Sequence, residues 1–242
     1  MTAPHAVIAG AGIGGLCASL CLARKGWRVS LFEKATELSE IGAGLQLSPN
    51  ASVILQKLGV LEQLMPFALR PKAVRIRRGG DGKTLALLPL DDAERRWGAP
   101  YLAVHRGDLQ RALLDAVARE TSISLETGAA ITGFAQDASA VTVTVGQEAA
   151  RQKKLSGDCL IGADGLHSFV CQKLGGGGAE FSGRTAWRAV IDASRVPMEA
   201  RREETALWLG HKAHLVHYPL RGGSIANVVA IVEEDFCPNE KD

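Results

Sequence analysis

The sequence predicts an α/β fold in two parts, a parallel βαβ opening followed by an antiparallel β unit. Three observations predict it. Residues 5–33 read as strand, glycine turn, helix and strand. A further apolar strand at 158–162 ends in a second glycine turn. After Gly175–Gly178 helical periodicity stops, leaving strand-like runs at 185–193, 205–209, 213–219 and 224–232. The boundary is therefore placed between 1–178 and 179–242, with 72–99 expected to lend strands to the second sheet.

Taken in order, His5–Ala9 is a short apolar run of the kind that parallel strands, buried on both faces, require. Gly10–Gly15 is the turn, Leu16–Lys25 has helical spacing, and Gly26 suits the left-handed position after a helix. Trp27–Phe32 is rich in β formers and ends at Glu33. Strand–helix–strand units of this kind build parallel sheets with right-handed crossovers. Residues 35–50 read as a long loop holding Gly42, Gly44 and Pro49, with Asn50 placed to cap a helix over 51–64. Residues 72–90 read as two strands around the turn Arg78–Lys83, and 91–100 as a polar loop. Asp108 is placed as the cap of an amphipathic helix with Leu109, Leu113, Leu114 and Val117 on one side. Strands are expected at 122–126, 129–135, 140–146 and 158–162.

Composition narrows the function classes. The 242 residues are 46% hydrophobic and 22% charged, with a formal net charge of +2. That is an ordinary globular balance and points to neither a nucleic-acid nor a membrane partner. Arg75, Arg77 and Arg78 are the nearest thing to a basic cluster, but strand alternation divides them between two faces. Cys17, Cys21, Cys159, Cys171 and Cys237 are odd in number and contain no CxxC, which argues against a disulfide framework or zinc site and fits a reducing cytoplasm. Residues 6–23 carry no charge and mimic a signal segment. No basic stretch precedes them, however, and their glycines fall at a functional spacing.

That spacing is the first chemical signal. Gly10, Gly12 and Gly15 satisfy GxGxxG, with Gly14 inside the pattern. The first glycine permits a tight turn, the second lets a pyrophosphate approach the backbone, and the third lets helix and strand pack closely. The helix N-terminus then offers unpaired N–H groups to the phosphates. Glu33, followed by Lys34, stands at the end of the second strand, where a carboxylate can accept hydrogen bonds from a ribose. The pattern indicates a dinucleotide and leaves FAD or NAD open.

Three further stretches carry a resemblance. They are Leu160-Ile161-Gly162-Ala163-Asp164-Gly165-Leu166-His167-Ser168, Gly42–Ala51 (GAGLQLSPNA) and Val104-His105-Arg106-Gly107-Asp108-Leu109. With GxGxxG they occur in the order seen in the single-component flavoprotein aromatic hydroxylases, the class of para-hydroxybenzoate hydroxylase. Thr185–Val190 and His214–Leu220 are similar to the salicylate hydroxylase branch. The resemblance spans essentially the whole chain. It implies a Rossmann-like FAD-binding domain with a partial antiparallel substrate domain, FAD as cofactor, NAD(P)H as a transient electron donor, and O₂ and a small phenolic or aromatic carboxylate as substrates. Gly10, Gly12 and Gly15 would hold the pyrophosphate, Glu33 the ribose, and Arg106 would lie beside the flavin. Asp164 would support the pyrophosphate region. Arg106 read without the resemblance is a surface arginine paired with Asp108, and Asp164 a turn aspartate.

Two departures accompany it. The family pattern DGxxSxxR ends here in Cys171, which bears on nicotinamide-nucleotide handling. The family's third fingerprint, a GDAAH-like segment that meets the ribityl chain, has no match. The chain is therefore expected to lack the C-terminal part of the enzyme, to retain FAD weakly, to oxidise NAD(P)H without coupled hydroxylation, and to dimerise or aggregate through uncovered edges.

On the substrate side, alternation puts His214, Val216 and Tyr218 on one strand face and Leu215 and His217 on the other. The resemblance implies that the first face looks into the aromatic pocket. His214 would take a phenolic proton and Tyr218 would hydrogen-bond a ring substituent. The competing reading of His214 is a sheet-surface histidine. The competing functions are a reductase or halogenase on the same flavin fold, and a nucleotide-binding fragment without catalysis. A halogenase would add a lysine and a tryptophan motif that the sequence does not show.

Overall fold

The computed structural model describes residues 2–38, 43–146 and 152–234; Gly42 and Cys237 lie outside them. In chain order the elements are β1 (His5–Ala9), α1 (Ile13–Ala23), β2 (Arg28–Phe32), β3 (Gly44–Leu47), α2 (Pro49–Lys57), α3 (Leu61–Leu64), β4 (Ala73–Arg78), β5 (Thr84–Pro89), α4 (Ala93–Trp97), β6 (Leu102–His105) and α5 (Arg106–Arg119). They continue with β7 (Ile123–Glu126), β8 (Ile131–Gln136), β9 (Val141–Val145), β10 (Lys153–Gly157), β11 (Cys159–Gly162), α6 (Phe169–Lys173), β12 (Arg184–Asp192), β13 (Glu204–Gly210), β14 (Ala213–Leu220) and β15 (Ile225–Glu233).

The chain divides into two compact units, one of residues 1–40 and 110–179, the other of 41–109 and 180–242. The stretch 72–99, expected to lend strands to the second sheet, lies in the second unit, and so do the flanking residues 41–71 and 100–109; the reason is strand pairing. β4 runs parallel to β13, from Ala73 opposite Glu204 to Arg78 opposite Leu209. The Gly44 N–H at the start of β3 also donates to Asn227 Oδ1 on β15 at 2.7 Å.

In the first unit four parallel strands stand in the order β11-β1-β2-β7. β1 is central and buried along its whole length, which is why His5–Ala9 carries no polar-out alternation. Ala6, Ile8, Leu16, Val29 and Leu31 are fully buried, and α1 packs across β1 and β2. Val7 and Ala9 instead join Val141, Val143 and Val145 from a three-stranded antiparallel sheet, β10-β9-β8. Each valine buried in this way contributes about 1.5–3 kcal/mol. His5 anchors the N-terminal end of β1: its backbone N–H donates to Asp158 Oδ2 at 2.7 Å, and its ring bonds the Ser156 carbonyl and the Ser30 hydroxyl.

In the second unit six strands stand in the order β12-β15-β14-β13-β4-β5, antiparallel except at β13/β4. A separate pair, β3 and β6, is antiparallel with Gln46 opposite Ala103. Leu69, Ala103, Tyr218 and Leu220 form a buried cluster that joins β6 to β14.

Several local expectations change. The helix expected over 51–64 is two, α2 and α3, because Gly59 takes a left-handed φ of +70° between them. Its cap is Ser48 rather than Asn50; Pro49 occupies the first helical position, where a missing N–H costs nothing. Residues 93–97 form a helical turn inside the expected loop, and β10 is a strand that was not expected. α5 begins at Arg106, so Asp108 lies inside its first turn and carries a bidentate pair with Arg221 (2.8 and 3.0 Å) instead of capping. Among the described residues no helix is long and apolar enough to cross a membrane.

Candidate functional site

The glycine turn is assembled by strand ends. The Gly10 N–H donates to the Phe32 carbonyl at 2.7 Å, and the Ala163 N–H donates to the Ala9 carbonyl at 2.8 Å. The carboxyl ends of β2, β1 and β11 therefore meet, as ligand sites in open parallel sheets require. Each glycine answers a different demand. Gly10 has φ +95°, and a Cβ there would lie 2.4 Å from the Ala163 carbonyl oxygen. A Cβ on Gly15 would lie 1.8 Å from the Gly10 carbonyl oxygen. A Cβ on Gly12 or Gly14 would meet nothing within 4 Å. The fold itself thus needs Gly10 and Gly15, while Gly12 and Gly14 keep space open in front of the helix. Gly12 is the N-cap of α1, with no side-chain capping bond and no acidic residue in the first turn. The first-turn N–H groups open onto that space, where a helix N-terminus suits an anion.

Glu33 and Asp164 frame that opening, and both have structural work. Glu33 accepts from the Ala11 N–H through Oε2 (2.8 Å) and from the Ala35 N–H through Oε1 (2.9 Å). A carboxylate has further lone pairs, so these two bonds leave it able to accept from a ribose. Asp164 accepts from the Ser168 hydroxyl (2.5 Å) and the Val170 N–H (3.1 Å), and Ser168 in turn caps α6 at Cys171. Asp164 therefore shapes the Gly162–Ser168 loop, and Gly165 takes φ +84° within it. Gly10, Gly12, Glu33, Lys34 and Asp164 line one cavity of about 410 Å³, with Gly14 and Gly15 in the helix behind. Thr132, His167 and Phe169 line it too. Of these, His167 lies inside the second glycine motif, whereas Thr132 comes from a strand with no motif to mark it.

The other predicted residues lie in the second unit. Arg106 opens α5, and its N–H donates to the Ala43 carbonyl at 2.9 Å. On β14 the register sets His214 opposite Ile231, Val216 opposite Val229 and Tyr218 opposite Asn227, so the three share one sheet face. His214 is half-buried, and Tyr218 is 3% exposed. Burial pushes the Tyr218 hydroxyl up to about 12, with a further upward push from Tyr101 and smaller opposing effects from Arg188 and Gln46. Gln46 also accepts from the Tyr101 hydroxyl at 2.5 Å. Neither Gln46 nor Tyr101 was singled out from the sequence. On the opposite face His217 is buried beside Trp208, their ring centroids 6.3 Å apart. Burial and the Arg77 guanidinium hold His217 below the usual histidine value. Among the described residues no cluster of His, Cys, Asp and Glu could hold a metal ion.

Comparison with known proteins bears on the family and the fold. The family described as "FAD binding domain" matches residues 4–238. The chain is 39% identical over 225 residues to 3-hydroxybenzoate 6-hydroxylase 1 of Aquipseudomonas alcaligenes, an alignment that covers 92% of this chain and 56% of the relative. It is 33% identical to 3-amino-4-hydroxybenzoate 2-monooxygenase of Streptomyces cremeus, covering 93% and 55%. The chain thus spans about half the length of the curated relatives it matches. Among solved structures, Klebsiella pneumoniae HpxO complexed with FAD and uric acid superposes with a TM-score of 0.82 at 24% identity, over 98% of this chain and 58% of that one. At that identity the likeness is one of fold.

Proposed function

We propose, from the premise that this chain belongs to the FAD-binding-domain family, that it carries the flavin-binding part of an FAD-dependent monooxygenase acting on a phenolic or aromatic carboxylate ring. The observation that carries the reading is the meeting of three strand ends at Gly10, Glu33 and Ala163 around the open space at Gly12. The α1 N-terminus with Gly12 and Gly14 would hold the pyrophosphate, and Glu33 with Lys34 the adenosine ribose side. The bound flavin would supply the redox chemistry between NAD(P)H and O₂.

The chain's own residues bind, orient and shield. A ring held against the His214–Tyr218 face would have Tyr218 as a hydrogen-bond donor, because a hydroxyl with a pKa near 12 keeps its proton at working pH. His214, four residues away on the same face, would receive the proton of a substrate phenol. The names of the relatives favour hydroxybenzoates as the ring class. The edge strand β5 exposes Leu85, Leu87 and Leu88, each 48% accessible, which supports a homodimer in which such an edge is covered. The cysteine usage supports a cytoplasmic location.

Titration of the purified chain with FAD tests the first part. Flavin fluorescence should be quenched on binding, and Gly12→Val should abolish the quenching while the fold survives. Undiminished affinity in that variant would refute the assignment. NADH consumption and O₂ uptake with 3-hydroxybenzoate against unsubstituted benzoate test the second, with stimulation expected only from the phenol.

A further inference from the structure

The six-stranded sheet ends in two unlike strands. β12 carries Arg184, Arg188 and Asp192, the kind of residue that keeps an edge from pairing. β5, at the other end, reads TLALLP; it carries no charge, and all six residues are exposed. An uncharged, exposed edge is a template for one more strand. The backbone fixes which groups that edge offers. Leu90 donates its N–H to the Lys72 carbonyl at 2.8 Å, and Arg78 donates its N–H to the Lys83 carbonyl at 2.9 Å. With Leu88 opposite Val74 and Ala86 opposite Ile76, antiparallel alternation turns the N–H and C=O of Leu88 and Ala86 toward β4. Those of Leu87 therefore point out of the sheet. Pro89 faces the same way with a carbonyl but no N–H.

These groups restrict how a second copy can join. Opposed residues of an antiparallel pair exchange both backbone bonds or neither. A twofold axis through Leu87 sets it opposite its own copy, and the two exchange both bonds. An axis through Leu88 would set Leu87 opposite Pro89, which has no N–H to give. An axis through Ala86 would set Leu87 opposite Leu85, which the register shift between Ile76 and Arg77 leaves without a partner on β4. Charge selects the same axis. Lys83 lies four residues before Leu87 and Asp91 four after it, and both are exposed. With Leu87 on the axis, Lys83 of each copy comes to Asp91 of the other, one ion pair at each end.

We propose that β5 is a self-association edge: a second copy of this chain adds its own β5 antiparallel to the first, with Leu87 on the twofold axis and Lys83 of each copy paired with Asp91 of the other. The proposal rests on the homodimer reading above and gives it a register. A twofold contact uses one patch twice, so a strand with opposite charges at equal distances from its centre is complementary to itself. The pairing joins the two six-stranded sheets edge to edge and covers Leu85, Leu87 and Leu88.

Cysteine cross-linking of the 242-residue chain tests the register. A hydrogen-bonded antiparallel pair sets its Cα atoms about 5.5 Å apart, inside the range a disulfide spans. Leu87→Cys should therefore form a disulfide with its own copy under mild oxidation, identified by peptide mapping against the native cysteines. Leu85→Cys is equally exposed, but in this register its copy lies four residues away, roughly 13 Å along the strand, and it should not cross-link. Sedimentation tests the association itself. The parent chain should be a dimer, and Leu87→Lys, which sets two cations together on the axis, should be a folded monomer by circular dichroism. Lys83→Asp should weaken the dimer about tenfold, and adding Asp91→Lys to it should restore the parent affinity. A monomeric parent chain would overturn both the proposal and the homodimer reading. A dimer that persists in Leu87→Lys, or that cross-links at 85 as readily as at 87, would overturn the proposal and leave the homodimer reading standing.

Discussion

The two candidate regions are built from opposite materials. In the first unit the cavity is made chiefly of main chain: a helix N-terminus, three strand ends and glycines whose side chains are missing for two different reasons. In the second unit the face around Tyr218 is made of side chains brought together by sheet register, with Gln46, Tyr101 and Asn227 arriving from three separate segments. A main-chain site tolerates changes around it but not a Cβ inside it. A side-chain site tolerates neither a lost partner nor a shifted register.

The largest expected effect separates the two kinds of glycine. Gly15→Ala places a Cβ 1.8 Å from a backbone oxygen, which no rotamer change relieves, and should cost roughly 3 kcal/mol or more in a urea titration. Gly12→Val meets only open space on an extended backbone and should stay within about 0.5 kcal/mol of the parent while losing FAD. Equal destabilisation by both would break the division between packing and binding glycines. Next, Gly44→Ala tests the side-chain site. Its Cβ meets two side chains rather than backbone, so the cost should be smaller, roughly 1–3 kcal/mol in the same titration. A third comparison sets Glu33→Ala against that result. Losing two carboxylate-to-N–H bonds at a half-exposed position should cost roughly 1–2 kcal/mol and loosen the turn at Ala11, seen as faster amide exchange there.

The smallest effect is one of pH. His5 and His217, one in each unit, both have pKa values lowered mainly by burial, with Arg28 and Arg77 respectively adding to the shift. The folded chain therefore binds fewer protons than the unfolded chain below the ordinary histidine value of 6.5. Stability is fully present above that value and falls as pH drops below it. Urea midpoints should decline on acidification through that range, and His217→Phe should flatten the decline. An unchanged slope in that variant would place the whole effect in the first unit.

The main-chain site was legible in the sequence because backbone demands are written locally. Gly10, Gly12, Gly15 and Glu33 fall within 24 residues, and Asp164 carries its own glycine turn. The side-chain site was legible only in part. Alternation along one strand was enough to put His214 and Tyr218 on a common face. It could not find Gln46, 172 positions before Tyr218, because the approach of β3 to β14 is a tertiary event with no local spacing to betray it. The strand character of 72–99 was enough to lend that stretch to the second sheet, but nothing local marked 41–71 and 100–109 as part of the same unit, which depends on long-range approaches such as Gly44 to Asn227.

By itself the sequence determined the α/β class, the strand–turn–helix–strand opening, and the strand character of residues after 178. Those features follow from residue period and from the few conformations glycine alone can take. The tertiary structure alone decided that Gly15 serves packing while Gly12 keeps space open, that Asp108 holds Arg221 instead of capping a helix, and that Gln46 accepts from Tyr101. Each of these depends on which atoms lie within about 3 Å across long stretches of chain, a distance that only the packed fold sets.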